Sequence, residues 1–196
     1  MTGRDILCIL MAYLIGGVCF GYYLVRIKVG IDIREFGSGG VGARNVGRVM
    51  GKSGFIATLL GDALKGMLAV LLARRFEVSP PAVSLAVVAV IAGHVWPLPL
   101  QFRGGRGIST AIGAYLAMDP FLAMVLLAIT LVLMVFRRGF IISGLVAFLL
   151  LPPAAYAFDQ SGHVVAALTA SAAIILFAHR ERIRQAFATE LSRKET

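Results

Sequence analysis

Residues 108–136 read ISTAIGAYLAMDPFLAMVLLAITLVLMVF, an apolar run that is interrupted once, by Asp119-Pro120. Proline removes a backbone donor and restricts the residue before it, so the run forms either one long kinked helix or two short helices joined by a tight turn. The choice decides the direction of the chain beyond Phe136, and with it the topology of the whole protein.

The composition around this run points to a membrane. Of the 196 residues, 59% are hydrophobic and only 15% are charged, and the mean hydropathy is +0.87. A soluble domain has about 45–50% apolar and about 25% charged residues, and a core of this size cannot bury the excess. Backbone groups in hydrocarbon must bond within their own segment, so we predict an all-α integral membrane protein.

Five further apolar runs flank the central one, and each approaches the roughly 17–20 residues that a transmembrane helix needs. They are Ile6–Val25, Gly54–Ala73, about Pro81–Val95, Phe140–Phe158 and His163–Ala178. The weakest span is Ile108–Met118, because a helix of about 16 Å is shorter than a hydrocarbon core of about 30 Å. We expect this segment to be a half-span packed inside the bundle.

The distribution of Lys and Arg chooses between the two topologies, because cytoplasmic loops collect these residues. With two helices in the central run, fifteen of the 19 fall on the cytoplasmic side and three outside, with Lys65 in the membrane. One long helix leaves eight inside and ten outside. We therefore predict seven transmembrane helices in a single membrane domain, residues 1–196, with the N-terminus outside and the C-terminus cytoplasmic. The fifteen are Arg26, Lys28, Arg34, Arg44, Arg48, Lys52, Arg103, Arg106, Arg137, Arg138, Arg180, Arg182, Arg184, Arg193 and Lys194; those outside are Arg4, Arg74 and Arg75.

The net charge of +9 belongs to these loops, which face anionic lipid headgroups. No basic soluble domain remains once the spans are removed, so nucleic acid is not an expected partner. Cys8 and Cys19 lie in the first apolar run without metal-ligand spacing. We therefore expect no metal site and no cofactor.

The first cytoplasmic loop, 26–53, contains a glycine-rich stretch with arginines, GSGGVGARNVGR over residues 37–48. We call residues 37–42 the first glycine loop. Successive N–H groups in such a loop form a nest for an anion, Ser38 adds a hydroxyl, and Arg44 and Arg48 add forks that match phosphate oxygens. No βαβ unit surrounds the GxGxxG spacing, which excludes a Rossmann site. The alternative is a flexible glycine linker.

A second glycine-rich stretch follows the third span in the cytoplasmic loop 96–107. Residues 101–107 read QFRGGRG, and we call them the second glycine loop. Its glycines precede the helix that begins at Ile108, whose N-terminal N–H groups would point at an anion. The two glycine loops together predict a phosphate-binding site on one face of the membrane.

Four ionisable residues near these loops have both structural and functional interpretations. Asp62 and Lys65 lie on one face of the second span, where charges are costly and usually functional, but they can also neutralise each other as a structural pair. His94 ends the third span beside both loops and is either a structural residue or a catalytic one. His179 is a weaker candidate, and His163 lies at the outer end.

Three ordered motifs resemble the bacterial acyl-phosphate:glycerol-3-phosphate acyltransferases, the PlsY family of integral membrane enzymes. The family pattern GSGNxGATN, followed by an arginine, is similar to residues 37–45 and Arg48. Its DxxKG is similar to residues 62–66, and its GHxxPxFxxFKGGKG to residues 93–107. The resemblance extends over nearly the whole chain.

The chain departs from the family pattern at several positions. Gly40 stands where the family has Asn, and Arg44 where it has Thr. Arg103 and Arg106 stand in place of lysines. Near the C-terminus the family resembles HRxNIxR, whereas residues 179–185 read HRERIRQ. These departures keep or add positive charge.

The resemblance implies transfer of a fatty acyl group from acyl phosphate to the sn-1 hydroxyl of glycerol 3-phosphate in phospholipid biosynthesis, giving lysophosphatidic acid and phosphate. The expected location is the bacterial inner membrane, where the loops 26–53 and 96–107 form the active site. Two alternatives are a divergent paralogue with another acyl donor or acceptor, and a small transporter of an organic phosphate.

Within that chemistry, the first glycine loop and Ser38 hold one phosphate, and Arg48, Arg103 and Arg106 clamp the other. His94 orients the hydroxyl or accepts its proton, unless a substrate phosphate oxygen does so. Ser38 as an acylated nucleophile is the alternative, and it lacks an adjacent base. The remaining expected phosphate-binding residues are Gly37, Gly39, Gly40, Gly42, Arg44, Asn45, Gly104, Gly105 and Gly107.

Overall fold

The computed structural model describes residues 1–136 and 139–185, and within these ranges the regular structure is helical. Short 3₁₀ turns at Ile33–Glu35 and Leu98–Leu100 lie in the connections. Four residues of the charge count, Arg137, Arg138, Arg193 and Lys194, lie outside the described residues. The helices are α1 (Gly3–Gly17), α2 (Phe20–Val29), α3 (Ala43–Arg75), α4 (Pro80–Val95), α5 (Ile108–Met118), α6 (Pro120–Val135), α7 (Phe140–Ala157) and α8 (Gly162–Ala178).

The central apolar run is divided into two helices, as predicted. Asp119 is extended, with φ of −156°, and it lies between the end of α5 and the start of α6. Its carboxylate accepts a hydrogen bond from the backbone N–H of Phe121 at 2.9 Å, and Pro120 occupies the first helical position, where its missing N–H costs nothing. The prediction of two short helices is confirmed.

Two of the predicted spans have different limits in the structure. The run Ile6–Val25 is not one helix, because α1 ends at Gly17 and α2 starts at Phe20. The second span does not start at Gly54, because α3 starts eleven residues earlier, at Ala43, and continues through a break at Gly51, where φ is 69°. The break after Gly17 reflects contacts of Gly16 and Val18 with Lys65, as described below.

Three helical stretches are long and apolar enough to cross a membrane, judged by length and composition: Gly3–Val29, Ala43–Arg75 and Pro80–Leu100. The helices α5 to α8 are apolar but shorter. Large apolar side chains cover the outer surface of the bundle, among them Leu60, Leu64, Leu68 and Leu71 along α3. Such a surface is stable only in lipid, so the chain is an integral membrane protein.

The helices approach one another at small residues. Gly93 of α4 lies against the backbone of Tyr13 in α1, and Gly113 of α5 lies against the backbone of Ala63 in α3. A Cβ atom at either glycine would collide with a carbonyl group. Close packing at small residues is typical of helix pairs in membranes, where no hydrophobic effect drives association. The helices α6, α7 and α8 complete the bundle through the pairs α6–α7, α7–α8 and α4–α8.

The two glycine loops lie at the same end of the bundle, which we call the loop end. Arg34, just before the first loop, donates to the carbonyl oxygen of Leu100, just before the second, at 3.1 Å. At the opposite end, the carboxylate of Asp5 accepts from the backbone N–H of Ser79 at 3.0 Å and so joins the starts of α1 and α4. The structure therefore brings together the two loops that the sequence assigned to one face.

Candidate active site

The side chain of Asn45 organises the first glycine loop. Its amide nitrogen donates to the carbonyl oxygens of Ile33, Phe36 and Gly40 at 3.1, 2.8 and 2.9 Å. Its oxygen accepts from the backbone N–H of Ser38 at 2.9 Å. Asn45 is 3% exposed. The loop is therefore a defined turn and not a flexible linker, and Asn45 directs its donors at the loop rather than at a ligand.

The glycines of this loop are required by its shape. Gly37 and Gly39 have φ of 59° and 67°, in the left-handed region that favours glycine. A Cβ at Gly37 would also collide with the side-chain oxygen of Asn45. Gly42 then caps α3 without a side-chain hydrogen bond, so the first N–H groups of α3 face outward from the helix end.

The second glycine loop is held by the end of α4. The carbonyl oxygens of His94 and Val95 accept from the backbone N–H groups of Gly105 and Gly104 at 3.0 and 3.2 Å. Gly107, with φ of 84°, caps α5 without a side-chain hydrogen bond. The start of α5 therefore presents N–H groups in the same manner as the start of α3, as the sequence predicted for α5 but not for α3.

A cavity of about 160 Å³ lies between the two helix starts at the loop end. One part of its wall is polar and cationic, and the other part is apolar. Because a helix start carries partial positive charge, the polar part is suited to an anion. The polar wall contains Ser38, Gly40, Gly42, Arg44, Asn45, Asp62, His94, Gly105, Arg106, Gly107, Ser109 and His179, and the apolar wall contains Ala43, Phe55, Leu59, Ile108 and Ile141.

Four arginines lie close enough to interact electrostatically at the loop end, and two of them, Arg44 and Arg106, line the cavity. Burial lowers the pKa of the Arg106 guanidinium, and the charges of Arg182, Arg44 and Arg48 lower this pKa further. Burial and the charges of Arg44 and Arg48 also lower the pKa of Arg182. Among the described residues that line the cavity, Asp62 is the acidic one, and it is paired with Lys65. The interactions that shift these two pKa values include no carboxylate among the described residues, and a bound anion would relieve the repulsion within the cluster.

Arg103 does not join this cluster. It is exposed and lies in a neighbouring recess of about 260 Å³ with Trp96, Phe102 and Arg180. The recess touches the cavity at Gly105, which lines both. The structure therefore brings Arg106 to the cavity and leaves Arg103 beside it.

The Asp62–Lys65 pair bridges the break between α1 and α2. The Lys65 ammonium lies 3.0 Å from the Asp62 carboxylate and donates to the carbonyl oxygens of Gly16 and Val18, each at 2.8 Å. The Asp62 carboxylate accepts from the N–H of Phe20 at 3.3 Å. The lysine thus meets the carbonyl end of α1 and the aspartate meets the N–H end of α2, each matching the helix dipole.

The same pair also contacts His94. The Lys65 ammonium lies 2.8 Å from Nδ1 of His94, and the Asp62 carboxylate lies 3.6 Å from it. Both Asp62 and His94 line the cavity. The pair that bridges the helix break is therefore also in contact with a residue of the cavity.

His179, the weaker candidate by sequence, also lines the cavity. Its Nδ1 donates to the carbonyl oxygen of Ile175 at 2.8 Å, so the lone pair of the neutral ring is on Nε2. Burial lowers the pKa of His179; the Ile175 carbonyl raises it, and the charges of Arg106 and Arg182 lower it. His163 lies elsewhere, between the hydroxyls of Ser84 and Ser161 at 2.9 Å from each.

The sequence missed two features of this site, the start of α3 at Ala43 and the contribution of Arg182. A signal for the helix start existed, since Gly42 precedes a helical spacing of buried Ala43 and Val46. The sequence shows Arg182 only as a departure from the C-terminal motif, and nothing in that motif indicates that Arg182 lies close to Arg106.

The described residues form a helical membrane protein with a cavity lined by cationic and apolar side chains. The family described as Glycerol-3-phosphate acyltransferase matches residues 6–189. The chain belongs to this glycerol-3-phosphate acyltransferase family.

Individual relatives agree with this assignment. The chain is 44% identical over 181 residues to glycerol-3-phosphate acyltransferase 1 of Desulfitobacterium hafniense, covering 92% of this chain and 90% of the relative. It is 39% identical over 182 residues to glycerol-3-phosphate acyltransferase 1 of Bacillus cereus, covering 93% and 99%.

Two solved structures share the fold. Both are of PlsY (YgiH), an integral membrane glycerol 3-phosphate acyltransferase. The glycerol 3-phosphate form has a TM-score of 0.86 and 28% identity, covering 95% of this chain and 94% of that one. The lysophosphatidic acid form has a TM-score of 0.84 and 26% identity, covering 95% and 93%.

Proposed function

We propose that the chain transfers a fatty acyl group from acyl phosphate to the sn-1 hydroxyl of glycerol 3-phosphate, giving lysophosphatidic acid and phosphate in phospholipid biosynthesis. The observation that carries this proposal is one cavity with a cationic wall and an apolar wall. The named relatives act on the same acceptor, and the solved relatives are glycerol 3-phosphate and lysophosphatidic acid forms. An acyl phosphate fits the cavity in the same way, because it joins an anionic head to an apolar tail.

Four guanidinium groups suit two phosphates held together. Glycerol 3-phosphate and acyl phosphate each carry nearly two negative charges at neutral pH, so both can be neutralised at once by Arg44, Arg48, Arg106 and Arg182. The first glycine loop, the start of α3 and Ser38 hold the phosphate of the donor. Arg48 and Arg106 hold the phosphate of the acceptor, and Arg103 attracts anions from the neighbouring recess.

Within this arrangement the reaction is a direct transfer. The sn-1 hydroxyl oxygen bonds to the carbonyl carbon, the bond from that carbon to the phosphate oxygen breaks, and the electron pair leaves with phosphate. The hydroxyl proton passes to an imidazole of the cavity or to a phosphate oxygen. Phosphate is a competent leaving group, so the main tasks of the protein are to position the two substrates and to stabilise charge.

The proposed orientation places the loop end in the cytoplasm, where glycerol 3-phosphate is dissolved, with seven crossings, the N-terminus outside and the C-terminus inside. The charge count supports the cytoplasmic placement of the loop end. The contact between Arg34 and Leu100 supports the placement of the two loops 26–53 and 96–107 on the same side. We place the protein in the bacterial inner membrane as a single domain.

Purified protein in detergent tests the proposal. Given acyl phosphate and glycerol 3-phosphate, it should release phosphate and lysophosphatidic acid without added metal or nucleotide. At a glycerol 3-phosphate concentration below KM, Arg106→Ala should lose activity, whereas Arg75→Ala, which removes an exposed arginine at the opposite end of α3, should not. Turnover of acyl-CoA but not of acyl phosphate would contradict the donor, and binding without phosphate release would indicate a carrier.

A further inference from the structure

The imidazole of His94 is in contact with a cation at one nitrogen. His94 is 3% exposed and Lys65 is 8% exposed, and the ammonium of Lys65 lies 2.8 Å from Nδ1 of His94. A lysine ammonium only donates hydrogen bonds, so Nδ1 has to accept. The neutral ring therefore carries its hydrogen on Nε2.

The neighbouring carboxylate does not reverse this assignment. Asp62 lies 3.6 Å from Nδ1 of His94, beyond the range of an N–H···O hydrogen bond. A hydrogen on Nδ1 would instead face the hydrogens of the Lys65 ammonium at a nitrogen–nitrogen distance of 2.8 Å. The ammonium is itself fixed, because the carbonyl oxygens of Gly16 and Val18 hold it at 2.8 Å each.

The opposite edge of the ring lies beside the second glycine loop. A Cβ at Gly105 would collide first with Nε2 of His94, so this nitrogen lies against the backbone of Gly105, where only a glycine fits. His94 and Gly105 both line the cavity. The Nε2–H bond therefore lies at the edge of the ring next to the second glycine loop, which lines the cavity.

We propose that Lys65 is a positioning residue that fixes His94 as an Nε2–H donor toward the acyl phosphate, so that His94 does not accept the proton of the acceptor hydroxyl. This inference rests on the proposed function for the identity of the ligand, but not for the state of the ring. The donor stabilises the negative charge that develops on an acyl phosphate oxygen as the hydroxyl oxygen attacks and the carbon–phosphate oxygen bond breaks. The hydroxyl proton is instead taken up by another lone pair in the site, such as one on a phosphate oxygen.

The first experiment observes the ring directly, without any activity assay. Protein carrying ¹⁵N-labelled histidine in detergent gives signals from three histidines, and His94→Gln identifies those of residue 94. We expect the His94 ring to show a protonated Nε2 and an unprotonated Nδ1 near pH 7. A protonated Nδ1, alone or together with Nε2, would overturn the proposal even if the enzyme is active. Absence of activity with the expected signals would instead reject the proposed function.

Two variants separate the effects of Lys65 and Asp62. Lys65→Met removes the ammonium, so the two tautomers of His94 should become mixed, and kcat should fall by roughly tenfold or more with little change in KM. Asp62→Asn keeps the ammonium, so the Nε2–H signature should remain, and this variant also decides the matter if Lys65→Met does not fold. Loss of the signature in Asp62→Asn would assign the role to Asp62 and contradict the proposal.

A third comparison tests donation against proton acceptance. The glutamine amide of His94→Gln can place an N–H group near the position of Nε2 but cannot take up a proton. We expect His94→Gln to keep at least tenfold more kcat than His94→Ala, with similar KM values. Equal loss in both variants would show that donation is not the function of residue 94.

Discussion

Arg34 donates to the carbonyl oxygen of Leu100 at 3.1 Å, across 66 positions of sequence. The same guanidinium is paired with Asp32 at 2.6 Å and lies over the ring of Tyr22, 5.0 Å from its centroid. These contacts join the segments that precede the two glycine loops. The register between the two glycine loops therefore depends on a residue that does not line the cavity.

Removal of this connection should weaken catalysis without removing a ligand. Arg34→Ala should lower kcat/KM by about tenfold, because a charge-assisted contact is worth about 1.5–3 kcal/mol and misplacement of one loop affects both phosphates. Steady-state kinetics on purified protein measures the change. Arg26→Ala is the matched control, since the hydrogen bond that Arg26 makes within the described part of the chain goes to the carbonyl of Gly30 at the end of its own helix. Equal effects of the two substitutions would argue against the connection.

The Asp32–Arg34 pair should make stability depend on acidity. The hydrogen bonds from Arg34 lower the pKa of the Asp32 carboxyl below its usual value. Because the folded-state pKa is the lower one, the stabilisation is complete above the usual pKa of Asp and is lost as the pH falls through the lowered value. The Tm of wild type should therefore exceed that of Asp32→Asn at pH 6–7, and the difference should shrink below about pH 4. A difference that grows on acidification would contradict this sign.

Arg106→Ala should weaken the binding of the acceptor, glycerol 3-phosphate. If Arg106 holds the phosphate of glycerol 3-phosphate equally in the ground state and in the transition state, its loss raises KM for that substrate by about ten- to a hundredfold and spares kcat. Initial rates at varied glycerol 3-phosphate measure both constants. A fall in kcat at unchanged KM would instead place Arg106 on the charge that develops during transfer.

Ser38→Ala distinguishes direct transfer from an acylated serine. A hydroxyl that donates to the leaving phosphate strengthens its bond as charge develops, so kcat should fall while KM changes little, and the backbone of the first glycine loop should support residual turnover. Intact-protein mass spectrometry of wild type with acyl phosphate alone should find no acyl adduct. An adduct that disappears in Ser38→Ala would replace direct transfer by a covalent mechanism.

Reporters test the orientation. A reporter fused after Thr196 should be cytoplasmic, and one inserted into the connection between α7 and α8 should be external. A tag fused to the N-terminus should also be external, because an odd number of crossings places the two termini on opposite sides of the membrane. A C-terminal reporter found outside would reject seven crossings.

The parts of the fold that the sequence predicted correctly rest on local signals. Asp119-Pro120 combines a helix cap with a residue that starts helices and so marks the interruption of the central run. The distribution of Lys and Arg then favours two helices over one kinked helix. The two glycine loops are similarly evident from the sequence, because glycines and arginines are concentrated in short stretches.

The remaining features depend on contacts between distant segments. The break after Gly17 is stabilised by the ammonium of Lys65, 47 to 49 positions away, and no local pattern shows that acceptor. Arg103 and Arg106 are three positions apart but line different recesses. The turn that precedes both of them has positive φ at Gln101 and Phe102, 54° and 60°. Backbone conformations of this kind are rare for residues other than glycine and are not predicted by composition.

The shortness of α5 has a consequence for how the enzyme meets its lipid. Eleven residues extend about 16 Å, so a helix that starts at the cavity and ends at Asp119 reaches only about half of a hydrocarbon layer of about 30 Å. If Asp119 lies at the outer headgroups, as the proposed topology requires, the floor of the cavity lies below the plane of the inner headgroups. The donor can then present its carbonyl group while its tail remains among neighbouring lipids. The rate then depends on the mole fraction of the donor in the bilayer or micelle. Addition of inert detergent at a constant bulk concentration of the donor should therefore slow the reaction.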